Sequence, residues 1–508
     1  MGDARKILLL EMNEIPYRVI DYYTSEHDES VIQRLLERSK AYLTICEDQI
    51  ELDPWISWPT LHRGVIDEQH RVLHLGQALD YANNTYPPIW EILASEGWQI
   101  GVFGSLHSSA KPKDLRNYRF YVPDFFADEA FVHPQELEAF QKFNLMMTRK
   151  SARNVDTAVP IKEAFNFLIA YLRQGMSAGT AAAIATQLVN EVLHPHLKCR
   201  RRSIQPAISM DIFLYLMRHI RPDLATFHTN HVAAAMHRFW AATFPDDVPE
   251  NRMSDTWTKQ YCKEIDHAMS MLDDMLGRIK DFIDAHPDYK LLIATSLGQA
   301  AVRAEETKGF VTVTDPNRLL SALGLANGEW KEKHAMVPCI SVITKAGKGD
   351  FLEERLNQLA VNGARMIRNE RETAPLSYDR KESNSFHIFV YFERYSGPSI
   401  AVLGNRELSF GDLGLGFFQH QDNIACSARH TPHGVLIVYD PIRPHPDRRR
   451  TTISTLDIAP AILDNFNIPS PSYMKRPDPT LLDTGAVGVP CELLIDTPER
   501  QRMVKRVD

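Results

Sequence analysis

Paired cysteines are the first thing this 508-residue chain lacks: Cys46, Cys199, Cys262, Cys339, Cys426 and Cys491 stand far apart and form no CxxC. That excludes a thiolate zinc cluster and a disulfide framework, and it fits a reducing compartment. A surplus of positive charge is missing too, since 57 Lys and Arg face 65 Asp and Glu for a formal net charge of -8. The phosphates of a nucleic-acid polymer would find no bulk attraction here. Two local basic clusters, Lys198 to Arg202 and Arg448 to Arg450, are expected as solvated loops. No apolar run reaches the ~20 residues of a membrane span. The longest small-apolar stretch, 175–189, is broken by Ser177, Thr180, Thr186 and Gln187 and is expected as a buried helix. The N-terminal residues enter an apolar strand without a signal-type segment, so the expected location is cytoplasmic. No fixed-period repeat is found.

What is present is ordinary globular composition, 44% hydrophobic and 24% charged. Ile7-Leu8-Leu9-Leu10 is a continuous apolar run, as in a strand buried on both faces of a parallel sheet. Helical and strand patterns then alternate: a helix opened by Pro87-Pro88, a strand at Ile100 to Phe103, a strand at Leu224 to Phe227, and a long amphipathic helix through Ile265, Met269, Leu272, Leu276, Ile279 and Phe282. The strands Leu291 to Ala294 and Val435 to Tyr439 follow, with a helix over Thr455 to Leu463. This alternation predicts a three-layer α/β/α sandwich with a mostly parallel sheet. Residues 1–121, 222–344 and 417–508 form the expected core, 122–221 a helical cap and 345–416 a small α+β insert. The glycines between Gly411 and Gly416 neither follow a clear strand nor open a helix, and read as a turn.

Open α/β sheets bind ligands beyond the carboxyl ends of their strands. Four polar clusters fall beside strand ends: Glu11 to Glu14, His228 to His231 with His237 further on, Thr295 to Gln299, and Arg429 to Gly434. With twenty histidines in the chain, any single one is more often structural than functional. Their convergence on one rim, with Asn13, His231, His237, Gln299 and His430 facing it, carries the inference. A fifth segment, Pro54 to Gly64, places Ser57, Thr60, His62 and Arg63 on a helix. There a hydroxyl either caps the helix or meets an anion held by free backbone N–H groups.

These segments resemble the alkaline phosphatase superfamily, in its type I phosphodiesterase/nucleotide pyrophosphatase branch. The resemblance rests on 6–13, on 57–64 with the following Asp67-Glu68-Gln69-His70, on 90–104, on His237-Arg238-Phe239-Trp240, and above all on 430–469 with His430-Thr431-Pro432-His433-Gly434, Asp457-Ile458-Ala459-Pro460 and Ile468-Pro469. It covers about half the chain and neither insert. It implies a Ser or Thr nucleophile opening a helix beside two divalent metals held by Asp and His. His237 and His430 match metal-binding histidines, and Asn13 stands where the family has Asp. The family's Asp-His-Gly appears as Ser296-Leu297-Gly298, and its other Asp is replaced near Asn230 or His231. The nucleophile is Ser57 by its distance from Pro59, or Thr60 by its place near the Gly64 turn, with the balance towards Thr60.

Leu297 cannot coordinate a metal, and two close cations need carboxylates, so a single ion is expected, zinc or another first-row metal. The candidate ligands are His231, His237 and His430, with Asn13, Gln299 and Glu11 nearby. Arg63 would replace the missing positive charge by bidentate contact with phosphate, next to His62. The expected activity is metal-assisted hydrolysis of a small phosphoester. A phosphoryl transferase, a single-metal lyase or redox enzyme, and a catalytically inactive binding protein stay open, as does assembly into a homo-oligomer.

Overall fold

The computed structural model describes residues 4–127, 129–152, 161–333, 335, 338–368, 374–392, 400–420 and 422–482. Cys491, the end of the third core segment and part of the 122–221 segment lie outside the described residues.

Lys6–Met12 (β1) is apolar on both faces because both faces are covered. Ile7 and Leu9 join one buried cluster, and Leu8, Leu10 and Met12 join another. Seven more strands complete the sheet: Ser39–Ile45 (β2), Ile100–Phe103 (β3), Tyr118–Val122 (β4), Leu224–Thr229 (β5), Tyr289–Ala294 (β6), and, after the rim strands Gly298–Ala301 (β7) and Ala428–Thr431 (β8), His433–Tyr439 (β9) and Asp447–Ser454 (β10). Their order is β10-β2-β9-β6-β1-β5-β3-β4. All run parallel except β9, which is antiparallel to both β2 and β6.

One face carries Tyr17–Glu26 (α1) and Val31–Leu36 (α2); the other carries Pro54–Arg63 (α3) and Ile89–Ser95 (α4). Arg201–Ile220 (α5), His231–Thr243 (α6) and Glu264–Ala285 (α7) join the first face, and Ile458–Asn465 (α8) the second. The fold is therefore a mixed α/β sandwich of three layers around a mostly parallel sheet. In α7 the buried residues Ile265, Met269, Leu272, Leu276, Ile279 and Phe282 recur at helical spacing, which gives the helix one apolar stripe to bury.

Helices Glu138–Ala152, Ile161–Arg173 and Ala178–Leu193 precede α5. Ala178–Leu193 is not the buried helix its small-apolar composition suggests: Leu188, Val189, Val192 and Leu193 are exposed. A third apolar cluster gathers residues from Val311 to Leu415. It begins ahead of position 345, because Val311, Val313, Leu319 and Leu320 pack with the strands Cys339–Thr344 and Leu376–Glu382. No described helix is long and apolar enough to cross a membrane. The five described cysteines are free.

The antiparallel β9 places its N-terminus at the rim where β1, β5 and β6 end. Residues just before β9 thus share an edge with residues just after the parallel strands. Gly298 sits where a Cβ would run into the His433 carbonyl, so only glycine allows β7 to cross so close to the start of β9.

Candidate metal centre

Glu14, His237 and His430 converge at this rim, with their ligand atoms all within 4.8 Å of one another. Glu14 Oε2 lies 3.0 Å from His237 Nε2 and 3.3 Å from His430 Nε2. The three come from the end of β1, the second turn of α6, and β8. In the short antiparallel pair β7–β8, Gln299 stands directly opposite His430.

The two imidazoles are oriented from behind. His237 Nδ1 lies 2.7 Å from the Ala428 carbonyl, and His430 Nδ1 lies 2.8 Å from the Leu52 carbonyl. A carbonyl can only accept, so both Nδ1 atoms carry protons, and in the neutral ring each Nε2 turns a lone pair towards Glu14. Glu14 is held in turn: Asn13 Nδ2 donates to its Oε1 at 2.6 Å and Gln299 Nε2 donates to its Oε2. Asn13 Oδ1 accepts from the indole of Trp58 at 2.8 Å, and Asn13 Nδ2 also reaches Asn230 Oδ1 at 2.7 Å.

Three electron-pair donors facing one point need a cation between them, either protons or a metal. Burial works to raise the Glu14 carboxyl, but His237 and His430 override it and hold it well below the ordinary carboxylate range. Burial likewise works to lower His237, and Glu14 overrides it, so the ring holds its proton well above the usual histidine range. Two histidines and a carboxylate, with each outer ring nitrogen fixed by a backbone carbonyl, are a donor set that fits zinc or another first-row divalent ion. The side chains of His237 and His430 are 31% and 22% exposed, which leaves a way in from solvent.

The sequence-based candidates divide sharply. His237, His430, Asn13 and Gln299 meet here, the last two as hydrogen-bond donors to Glu14. His231 does not: its ring lies 2.7 Å from Thr229 Oγ1 and 3.1 Å from the Ala268 carbonyl, and burial lowers its pKa to about 4. The third member of the cluster is instead Glu14. Glu11 is also elsewhere, fully buried between His62 Nε2 at 2.9 Å and Ser105 Oγ at 3.0 Å, with His228 alongside. His62 is thus the partner of Glu11 rather than a group facing a substrate.

Helix α3 meets the centre through its cap and through Trp58, which holds Asn13. Asp53 caps it: its carboxylate accepts from Trp55 N, and its carbonyl accepts from Ile56 N and Ser57 N. The free N–H groups expected to seat an anion are therefore already occupied by the chain's own cap. Thr60 is wholly buried, with Oγ1 2.6 Å from Asp48 Oδ1 and 2.9 Å from His70 Nε2. His70 Nδ1 accepts from Val72 N, so its Nε2 bears the proton and donates to Thr60; it cannot act as base for that hydroxyl. Ser57 is wholly buried as well, sharing a hydrogen bond of 2.8 Å with Ser296 Oγ. Arg63 lies at the far end of α3, about 15 Å along the axis from Asp53. Its guanidinium donates to the Tyr86 carbonyl and to Asn83 Oδ1, away from the histidines.

Asp53 is the residue that sequence reasoning missed beside Glu14. Burial pushes its carboxyl up to about 6, against the pull of the Trp55 N–H and of His430. Its only sequence signal is its place before Pro54, the N-cap position. Cys426 stands behind His237, with Sγ 3.8 Å from Nδ1 and 2.8 Å from the Ala428 carbonyl.

No protein-family model and no curated protein matches the sequence. Among solved structures, murine ectonucleotide pyrophosphatase / phosphodiesterase 5 superposes with a TM-score of 0.39 at 10% identity, covering 94% of this chain and 100% of that one. An inactive variant of the murine protein in complex with AMP gives 0.37 and 10%, covering 93% and 96%. The human protein gives 0.36 and 11%, covering 93% and 97%.

Proposed function

We propose that this protein is a single-metal hydrolase of phosphoric esters whose ion is held by Glu14, His237 and His430. The observation that carries the reading is the convergence of three lone-pair donors whose outer contacts already have the arrangement of metal ligands. The resemblance of the rim segments to the phosphodiesterase branch directs it to phosphoesters. A bound divalent cation would supply Lewis acidity to a phosphoryl oxygen and acidify water.

The rest of the chemistry falls to the chain's own groups. Ser57 and Thr60 are both closed off from solvent, so water rather than either hydroxyl is the proposed nucleophile. Asp53, half-buried beside His430 and poised near pH 6, accepts the proton that the attacking water gives up. Asn13 and Gln299 keep Glu14 aimed, and the carbonyls of Leu52 and Ala428 keep the rings aimed. The test is a chelator-stripped sample assayed on an aryl phosphodiester before and after one equivalent of zinc or manganese. Turnover should return with metal and be lost in His237→Ala and His430→Ala; turnover by the stripped protein would sink the proposal.

The same donor set, two histidines and one carboxylate, also suits iron(II) oxygen chemistry. Dioxygen consumption by the iron-loaded protein, with no phosphoester turnover under any metal, would select that reading.

A further inference from the structure

The basic segment at Lys198 to Arg202 is helical rather than a loop, and of its cations Lys198 and Arg201 are exposed while Arg200 and Arg202 are half-buried. Arg200 immediately precedes α5, and it is bound by two contacts of 2.8 Å to Glu264 in the first turn of α7. Arg201 pairs outward with Glu191. Arg202 turns to a cavity of ≈ 10 Å³ between α5, α6 and α7, which Arg200, Arg238, His267, Cys199 and one carboxylate, Glu264, also line. That is room for one water-sized body.

Charge around this cavity does not balance. Glu264 is taken by Arg200 and also accepts from Cys199 Sγ at 3.4 Å, and Asp422 is taken by Arg238. Arg202 has no carboxylate partner among the described residues, and His267 Nε2 is buried there without a hydrogen-bond partner. His231, also at the wall, has both ring nitrogens engaged elsewhere. Burial, and then the charge of Arg200, lowers the pKa of His267 to about 4 against the pull of Glu264 and Asp266, so the ring is neutral. A desolvated guanidinium without a counter-charge is costly. A water molecule would satisfy the His267 nitrogen and leave the surplus charge in place. An anion answers both.

We propose that this cavity binds a monoatomic anion of chloride size, held between the guanidinium groups of Arg202 and Arg238 and the ring of His267. Its place ties together three helices, one of which carries His237. It is a separate site from the metal centre and does not depend on the proposed hydrolysis.

The full-length protein, dialysed into sodium gluconate, is titrated with chloride at constant ionic strength while Tm is followed. Chloride and bromide should each raise Tm along a saturable curve. The saturable shift should vanish in Arg202→Gln and persist in Arg448→Gln, which alters an exposed arginine. A crystal grown in bromide should show an anomalous peak against Arg202 and His267, which decides the matter in the native protein should Arg202→Gln fail to fold. An empty cavity in that crystal, or an unchanged chloride response in Arg202→Gln, overturns the proposal.

Discussion

Trp58 reaches across from α3 to hold Asn13, its indole N–H 2.8 Å from the amide oxygen. The same ring stacks on His62 and meets His228 edge-on, so the buried Glu11 network and the rim share one rigid side chain. Asn13 passes this rigidity to Glu14. Trp58→Phe keeps most of the packing and removes the donor. It should weaken metal binding roughly 10- to 100-fold, as loss of an outer-sphere contact does. It should also cost about 1–3 kcal/mol for the amide oxygen left unpaired. Competition with a chromogenic chelator, together with urea unfolding, measures both; unchanged metal affinity would detach Trp58 from the centre.

Metal affinity should rise with pH. A metal must displace the protons that Glu14 holds on His237 and His430, both of which titrate above the usual histidine range. For the metal-free protein the sign runs the other way. The stability that these raised imidazoles contribute is fully present below about pH 6.5 and is lost as pH climbs through their folded values. Glu14, depressed, contributes above about pH 4.5, and its share is lost as acid protonates it. Glu14→Gln should flatten both dependences, and calorimetric zinc titrations between pH 6 and 9 would show it. A pH-independent affinity in the native protein contradicts the ligand set.

The sheet is legible in the sequence because its strands are continuous apolar runs, and two faces covered by helices follow from such runs. The centre is legible only in part. His237 and His430 stand out by type and by the segments around them. Glu14 does not, because strand alternation would send it to the same side as Met12. The backbone at Glu14 instead turns into the left-handed region, φ 61°, and swings the carboxylate to the histidines. Nothing in a non-glycine residue announces that turn. The roles assigned to Arg63 and His62 fail for another reason. Helix α3 is buried along nearly its whole length, so its polar residues spend their hydrogen bonds on Tyr86, Asn83 and Glu11. The position of His430 before a strand, rather than after one, follows from β9 running antiparallel, a direction the residues of that strand do not encode.

Thr60→Val separates structure from chemistry. The hydroxyl lies between the half-buried Asp48 and the buried His70, both of which would lose a partner. The cost should be roughly 1–3 kcal/mol in unfolding free energy. Turnover on an aryl phosphodiester should stay within about twofold, since no transition-state contact is removed. Complete loss of turnover in a folded, metal-loaded Thr60→Val sample would restore this hydroxyl as the nucleophile.

Asp53→Asn tests the proton acceptor and carries its own stability signature. Asparagine caps a helix as well as aspartate does, so α3 should keep its start. The native carboxyl sits at about 6 when folded against an ordinary 3.8, because burial disfavours its charge. Between those values the folded chain keeps a proton that the unfolded chain has released, so stability falls as pH rises, and above pH 6 the whole penalty persists. In the metal-free protein the asparagine variant should therefore gain about 1–2 kcal/mol over the native chain at pH 7.5, after allowance for partial exposure, and gain nothing at pH 3.5. Activity should move the opposite way. With its base removed, the metal-loaded variant should lose roughly 10²- to 10⁴-fold in kcat and the acidic limb of its pH profile. A variant that is more stable at neutral pH yet turns over at the native rate would keep Asp53 as a strained cap and remove it from the chemistry.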